Sequence, residues 1–270
     1  MAASQPSDTL DRSGYEIEVE DTFDGAELDT SIWVPNYLPQ WSSRSASAAR
    51  FDLTDGTLRL RIDADQAPWC PEYDGWLRVS SLQTGVFAGP VGSDVGQHRF
   101  ADGMRVREAQ ENVALYTPIY GLFEVRAKAL DDPANLVALW TIGYEDVPGH
   151  SGEILIMEIF GRDVSTDSAA IGMGVRPHHD PNLTDAFEQV RVAIDVRDFH
   201  TYSAEWTPTY VAHYVDERLV KVVRQSLDYP LQFLLGIYEF ADGPQPASTP
   251  DRYPKQFEVD WFRGYRRVTR

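Results

Sequence analysis

Residues 151–161 read Ser-Gly-Glu-Ile-Leu-Ile-Met-Glu-Ile-Phe-Gly. This apolar, β-branched run is typical of a buried central strand. It also holds two carboxylates, Glu153 and Glu158, which are costly to bury unless they face a cleft or find partners. Because the two are five residues apart, a regular strand would turn them to opposite faces. A β-bulge at Ile156 or Met157 would return Glu158 to the face of Glu153, and bulges are common beside active sites.

Alternation of apolar and polar residues continues on both sides of this segment and predicts further strands. Runs of glycine, proline, aspartate and asparagine separate the alternating stretches, and no fixed-period repeat or long helical pattern is present. We therefore predict an all-β fold, a two-sheet antiparallel β-sandwich of the jelly-roll type. The clearest alternating stretches are residues 58–62, 122–128, 211–216, 219–223 and 257–265.

Length and composition favour one large domain. The chain has 270 residues, of which 43% are hydrophobic, and β-sandwiches of this size are commonly single units. We expect a flexible N-terminal segment over residues 1–14 and a single domain over residues 15–270. Cys70 is the one cysteine, so an intrachain disulfide cannot form.

The charge of the chain bounds its partners. Its net charge of −18 repels nucleic-acid phosphates and anionic membrane surfaces, so we expect neither as a partner. We also expect a monomer. Residues 1–7 carry no basic or apolar run of a signal peptide, which leaves open a cytoplasmic protein or a secreted one whose signal has been removed.

Two carboxyl groups on one face of a cleft fit retaining glycoside hydrolysis. In that reaction the groups lie about 5–5.5 Å apart, one attacks the anomeric carbon, and the other protonates the leaving oxygen. The strand alone leaves a second interpretation open, in which Glu153 and Glu158 are exposed or paired with arginines.

The segment resembles the signature of glycoside hydrolase family 16, which reads Glu-x-Asp-x-x-Glu in its bulged form. Other parts of the chain resemble the family in the same order, so that the similarity spans roughly residues 15–267. The matching stretches are residues 20–33, 55–60, 120–128, 138–140, 199–208 and 259–263.

This resemblance implies a concanavalin A-like jelly roll with a concave cleft, and an O-glycosyl hydrolase active in polysaccharide degradation. It implies that Glu153 is the nucleophile, that Glu158 is the general acid/base, and that Trp140 lies on the cleft floor. The implied substrates are β-1,3- and β-1,4-linked glucans and galactans. No cofactor is implied for catalysis, but many relatives bind a structural calcium on the convex face, where Asp260 and Glu20 would supply oxygen ligands.

The chain departs from the family at the middle position of the signature, where Leu155 replaces an aspartate that hydrogen-bonds to the nucleophile. Leucine can neither donate nor accept that bond. Another residue then supplies the contact, or the substrate is an unusual glycoside, or hydrolysis has been lost and a carbohydrate-binding jelly roll remains. A polysaccharide lyase on a similar sandwich is a further alternative, which the retained pair of glutamates disfavours.

Aromatic residues in the long irregular stretches 34–50, 64–78 and 88–112 are candidates for stacking on sugar rings. They are Trp41, Trp69 and Trp76. Aromatic side chains are also frequent in the strands of large β-proteins, so a purely structural role stays open.

Three polar side chains are further candidates for substrate binding. His178 and His179 follow the predicted strand 169–175, and because adjacent residues point to opposite faces, at most one of them comes near Glu158. Arg126 would lie on the concave face if its strand neighbours the catalytic one, and otherwise forms an ordinary salt bridge. The six histidines lack the spacing of a His-Glu-x-x-His metal site.

Overall fold

The computed structural model describes residues 5–241, 243 and 252–268. Almost all regular structure in these residues is strand. The one α-helical turn, α1, covers Pro71–Asp74. The strands are β1 (Tyr15–Asp21), β2 (Phe51–Thr54), β3 (Thr57–Ile62), β4 (Arg78–Gln83), β5 (Gly85–Val86), β6 (Val113–Ala114), β7 (Gly121–Lys128), β8 (Asn135–Gly143), β9 (Glu153–Phe160), β10 (Ala169–Arg176), β11 (Glu188–Val192), β12 (His200–Trp206), β13 (Val211–Val215), β14 (Arg218–Val223), β15 (Leu231–Glu239) and β16 (Lys255–Arg267).

Two large antiparallel sheets form a sandwich. The first sheet has the order β14-β13-β12-β7-β16-β3-β2, with β1 also paired to β16. The second has the order β11-β10-β9-β8-β15-β4, which puts the carboxylate strand β9 near its centre. The predicted all-β jelly-roll sandwich is confirmed.

The central strands of the second sheet are buried on both faces. Ile154 and Ile156 of β9 belong to the main core between the sheets, whereas Leu155 belongs to a separate apolar cluster under the long loops. All nine residues of β8 and all nine of β15 are therefore buried. This double coverage explains why these strands read as continuous apolar runs rather than alternating ones.

A β-bulge interrupts β9 where the sequence predicts one. Leu139 pairs with Met157, but the next residue of β8, Trp140, pairs with Leu155, so Ile156 is the extra residue. The pairing of β9 with β10 shifts at the same place. The bulge reverses the alternation beyond it and turns Glu158 to the face of Glu153.

The N-terminal segment packs on the first sheet from about residue 8 onwards. Thr9 forms a bridge with Arg218, and the Leu10 side chain is 7% exposed. Arg12 makes a bidentate ion pair with the buried Glu124, at 2.8 and 3.0 Å. The expectation of a flexible segment over 1–14 is therefore wrong for residues 8–12, because these apolar and charged contacts hold them. Residues 1–4 lie outside the described residues, and the single domain over 15–270 stays a prediction.

Within the described ranges, none of the helices has the length and apolar character needed to span a membrane.

Candidate active site

A pocket of about 230 Å³ opens on the face of the second sheet that points away from the core. Glu153 and Glu158 both line it, so the bulge brings the two sequence-predicted carboxylates into one site. The lining residues are Tyr37, Leu77, His98, Leu136, Ala138, Trp140, Glu153, Leu155, Glu158, Arg176, His178, Tyr238 and Phe240.

Two imidazoles flank the carboxylate of Glu153, whose side chain is only 3% exposed. His98 Nδ1 lies 3.2 Å from Glu153 Oε1. His178 Nε2 forms a short hydrogen bond with the same oxygen. Two polar side chains from outside β9 therefore compensate for burying this carboxylate.

Contacts on several sides fix the position of His98. Its backbone N–H donates to Glu145 Oε1 at 2.6 Å, and its ring packs edge-on against Trp140, with 5.1 Å between ring centroids. His98, Glu145 and His178 all have left-handed backbones, with φ of 51°, 59° and 46°. Non-glycine residues adopt this conformation at a cost of about 1–3 kcal/mol each, and only where surrounding contacts over-determine it.

The turn that carries His178 is tied to the chain just before β9. His179 N–H donates to Ser151 Oγ at 3.0 Å. Tyr229 O–H donates to the Asp180 carboxylate at 2.8 Å, and the Tyr229 oxygen accepts the Gly152 N–H at 2.8 Å. These bonds fix the start of β9 and the turn after β10 relative to each other, and with them the contact between Glu153 and His178.

The two histidines have opposite electrostatic character. Burial lowers the pKa of His98 to about 4, so its imidazole is neutral at neutral pH. Burial also acts to lower the pKa of His178, but the hydrogen bond and negative charge of Glu153 outweigh it and raise that pKa overall. His178 is thus the better proton carrier of the two.

Glu158 has a less polar environment than Glu153. Burial raises the pKa of Glu158, the charge of Glu153 raises it further, and the charge of Arg176 opposes the change. The guanidinium of Arg176 stacks on the Phe187 ring at 3.8 Å. A raised pKa keeps a carboxylic acid protonated at higher pH, as a general acid requires.

A glycine opposite Glu158 makes room for the pocket wall. Gly172 pairs with Glu158, and a Cβ at this position would lie 2.7 Å from the ring of Phe187. The missing side chain therefore lets Phe187 lie flat on β10 beside Glu158.

Leu155 occupies the position between the two glutamates and is 2% exposed. It packs in the apolar cluster that includes Ala138 and Trp140. A leucine here offers Glu153 no hydrogen bond, whereas His178 does.

The structure brings Trp140 to the pocket but not the loop tryptophans expected there. Trp140 lines the pocket, and its indole N–H donates to Tyr238 Oη at 2.9 Å. Trp41 and Trp69 are only 0% and 1% exposed, and they anchor the loops from inside through bonds to Gln97 and Asp74. Sugar stacking by these two is therefore wrong, because their faces are covered. Trp76 is 46% exposed, next to the pocket residue Leu77, and its stacking role stays a prediction.

Arg126 does not reach the pocket. Its strand, β7, lies between β12 and β16 in the first sheet, so the expectation that it lines the cleft is wrong. Arg126 instead forms a short ion pair with Asp260. Glu20 forms an ion pair with Arg263 at 2.6 Å. Arginines thus engage both residues predicted to bind calcium, and the calcium site stays a prediction.

Of the two adjacent histidines, His178 alone lines the pocket, and it meets Glu153 rather than Glu158. The imidazole of His179 lies on the other side of the turn, with Nε2 3.3 Å from the Arg99 carbonyl oxygen. At most one of the pair thus reaches a carboxylate, as expected, but the expected partner, Glu158, is wrong, because antiparallel pairing puts the end of β10 beside the start of β9.

Three functional candidates were not identified from the sequence: His98, Glu145 and Arg176. His98 lies in the long stretch 88–112, which the sequence marks as a functional loop without singling out the residue. Arg176 ends the strand that also carries Gly172 and Gly174, and the alternation of that strand places all three on one face. Burial raises the pKa of Glu145 to about 7, a property that no sequence pattern indicates.

Comparison with known proteins shows which family the chain is similar to. The sequence model of the glycosyl hydrolases family 16 matches residues 110–263. A β-glucanase of Rhodothermus marinus is 28% identical over 168 residues, which are 55% of this chain and 58% of the relative.

Solved structures of glycosidases also superpose on this chain. A GlcNAcα1-4Gal releasing endo-β-galactosidase from Clostridium perfringens superposes with a TM-score of 0.80 and 28% identity, over 97% of this chain and 66% of that one. The catalytic domain of a laminarinase from Thermotoga petrophila RKU-1 has a TM-score of 0.64 and 19% identity, over 94% and 99% of the two chains, which shows the shared fold. The chain thus spans 58% of the curated relative's length and 66% of the endo-β-galactosidase chain.

Proposed function

The chain belongs to the glycosyl hydrolases family 16, and from this premise we propose that it is a retaining glycoside hydrolase that cleaves β-glycosidic bonds within a glycan. One observation carries the proposal. The bulge in β9 directs Glu153 and Glu158 into the same pocket, with different surroundings for each. A binding protein has no need for a buried and a half-buried carboxylate on one face, since removing them from water costs free energy.

Glu153 is the proposed nucleophile. Its carboxylate points into the pocket from the start of β9, and the contacts with His98 and His178 fix its orientation. Orientation matters because attack on the anomeric carbon requires the oxygen to approach within about 3–3.5 Å along a defined line. The product of this attack is a glycosyl-enzyme ester.

Glu158 is the proposed general acid/base. With its pKa raised by burial, it is protonated when the glycosidic oxygen leaves and donates its proton to that oxygen. The resulting carboxylate then deprotonates the water that hydrolyses the ester. Arg176, on the pocket wall, stabilises the charged form of Glu158 in this second half of the reaction.

We further propose that His178, supported by His98, replaces the aspartate missing at position 155. A middle aspartate would bond to the nucleophile from within β9. Here the bond comes from the turn after β10 and leaves position 155 free to be apolar. The presence of leucine at position 155 is in this way compatible with hydrolysis.

The proposed substrate is a galactose-containing glycan with an internal β-galactosidic bond. The support is the greater likeness to the endo-β-galactosidase, with 28% identity and a TM-score of 0.80, than to the laminarinase, with 19% and 0.64. Internal β-glucan cleavage is the second candidate, which the relative named as a β-glucanase supports.

The experiment compares the native chain with Glu153→Gln and Glu158→Gln on mucin-type galactosides, laminarin and mixed-linkage glucan. Glu27→Gln is the matched control, since Glu27 is exposed and is not among the residues that line the pocket. We expect turnover by the native chain and the control only, with the β-anomer as first product in proton NMR. Equal turnover by Glu153→Gln would refute its role as nucleophile, and an α-anomer would refute the retaining mechanism. Glycan binding without turnover by any variant would instead identify a carbohydrate-binding protein.

A further inference from the structure

Three side chains at the base of the pocket form a set of possible metal ligands. His98 Nδ1, His178 Nε2 and one carboxylate oxygen of Glu153 lie within 4.8 Å of one another. They come from three separate parts of the chain, namely the loop 88–112, the turn after β10 and the start of β9.

We propose that this triad binds a divalent transition-metal ion of the Zn²⁺ type, and that the bound ion reversibly blocks the pocket by occupying the carboxylate of Glu153. Two imidazole nitrogens and one carboxylate oxygen are the protein ligands of many zinc sites that keep a fourth position open. The same donors discriminate against Ca²⁺ and Mg²⁺, which prefer oxygen ligands alone.

The distances suit an ion after a small adjustment. Ligand atoms around a tetrahedral zinc lie about 3.3–3.5 Å from one another, given bond lengths near 2.0–2.1 Å. His98 Nδ1 and Glu153 Oε1, at 3.2 Å, are already close to this separation. His178 Nε2 lies nearer to the same oxygen and would have to move outward, and its side chain is 27% exposed, on the pocket side of the turn.

The surroundings also suit a cation. The Glu145 carboxylate accepts a hydrogen bond from the backbone N–H of His98 and so helps to fix the position of this ligand. Glu158 adds a second carboxylate on the pocket wall, and Arg176 is the one cationic side chain among the described lining residues apart from the histidines. The open fourth position faces the pocket, where water or a substrate hydroxyl would bind.

Metal binding to the triad does not depend on the proposed function, but the inhibition does. An ion on Glu153 Oε1 occupies the lone pair that would attack the anomeric carbon. A chelator should restore turnover, because hydrolysis by two carboxylates uses no metal.

The first test measures binding without activity. The native chain is titrated with Co²⁺, followed by its visible d–d absorption, and with Zn²⁺ by calorimetry. We expect one site per chain, and at least about 100-fold weaker Zn²⁺ binding in His98→Phe and in His178→Gln, since even outer partners of a metal ligand are worth 10–100-fold.

His179→Gln is the matched control, because His179 is adjacent to His178 but outside the triad. It should bind Zn²⁺ as the native chain does. Circular dichroism and thermal unfolding check that each variant is folded. Absence of a stoichiometric site, or binding that survives both triad substitutions or is lost in His179→Gln, would overturn the proposal.

The second test adds Zn²⁺ to the native chain on whichever glycan it hydrolyses and then adds EDTA. We expect turnover to fall as the site measured by calorimetry fills and to return with EDTA, while Ca²⁺ has no effect. Zn²⁺ binding to the triad without any loss of turnover would refute the inhibition. If no glycan is hydrolysed, the proposed function fails, but the binding titrations still decide the metal site.

Discussion

Replacing Leu155 by aspartate would restore the residue found in the signature of family 16, yet we expect it to harm both stability and activity. Leu155 is 2% exposed and packs in the apolar cluster with Ala138 and Trp140. Under the function proposed above, His178 supplies Glu153 with the polar contact that the family resemblance assigns to the aspartate. A carboxyl group at position 155 would therefore meet apolar neighbours and two further carboxylates.

The expected loss follows from the burial of this site. Truncating a buried leucine costs about 2–5 kcal/mol, and a buried polar group without a partner adds about 1–3 kcal/mol. We expect Leu155→Asp to lower the free energy of unfolding by about 4 kcal/mol. We also expect kcat/KM to fall at least about tenfold, equivalent to 1.4 kcal/mol, because the new carboxylate competes with Glu153 for the proton of His178.

Urea unfolding and steady-state kinetics on the best glycan measure the two effects. Leu155→Asn shares the loss of apolar contact without the charge, and Leu155→Met keeps the volume and should cost less than about 1.5 kcal/mol. A Leu155→Asp variant that is as stable as the native chain and turns over faster would refute the replacement of the aspartate by His178.

Three further predictions test other parts of the structure. His213 faces the core between Val211 and Val215, neither ring nitrogen has a hydrogen-bond partner among the described residues, and burial lowers its pKa to about 3. In the unfolded chain the imidazole of His213 binds a proton below about pH 6.5, whereas in the folded chain it stays neutral. The free energy of unfolding should therefore fall as pH falls, by about 2 kcal/mol at pH 5. In His213→Leu, urea unfolding at pH 7 and pH 5 should show a smaller loss of stability between the two pH values than in the native chain. An equal loss in both proteins would contradict this role of His213. Glu158→Gln should lower kcat about 10²–10⁴-fold on glycosides with poor leaving groups and much less on activated aryl glycosides, and an equal loss on both would exclude a general acid. Arg126→Met should leave kcat/KM within about twofold and stability within about 1 kcal/mol, because its ion pair with Asp260 is half-exposed and belongs to the other sheet. A large rise in KM would show that Arg126 does contact substrate.

The sequence predicted the geometry of the carboxylate strand β9 in detail because the constraints there are local. Two carboxylates five residues apart in an apolar strand can share a cleft face only through a bulge, and the bulge occurs at Ile156. The rule that adjacent residues point to opposite faces is equally local. It correctly predicted that at most one of His178 and His179 would reach the pocket. These are consequences of strand geometry that hold whichever sheet the strand joins.

The errors concern questions that strand geometry does not answer. Alternation in β7 identifies a polar face for Arg126 but does not say which sheet the strand joins. A tryptophan in a long loop can stack on a ligand or fasten the loop to the sheet, and Trp41 and Trp69 do the latter with their indole N–H groups satisfied from inside. The contact of His98 with Glu153 joins residues 55 positions apart, and only the tertiary fold creates it.

The pocket solves the chemical problem of two nearby carboxylates by giving them unequal partners. Glu153 has a hydrogen bond with the imidazole of His178 and a second imidazole, His98, at 3.2 Å. Burial raises the pKa of Glu158, and the charges of Arg176 and Arg162 only moderate the effect. Retaining hydrolysis needs this difference, since one group must attack as an anion while the other is still protonated. Because Leu155 contributes no charge, the difference rests on residues from the loop 88–112 and from β10 with its following turn, so changes in those elements should alter catalysis as strongly as changes in β9 itself.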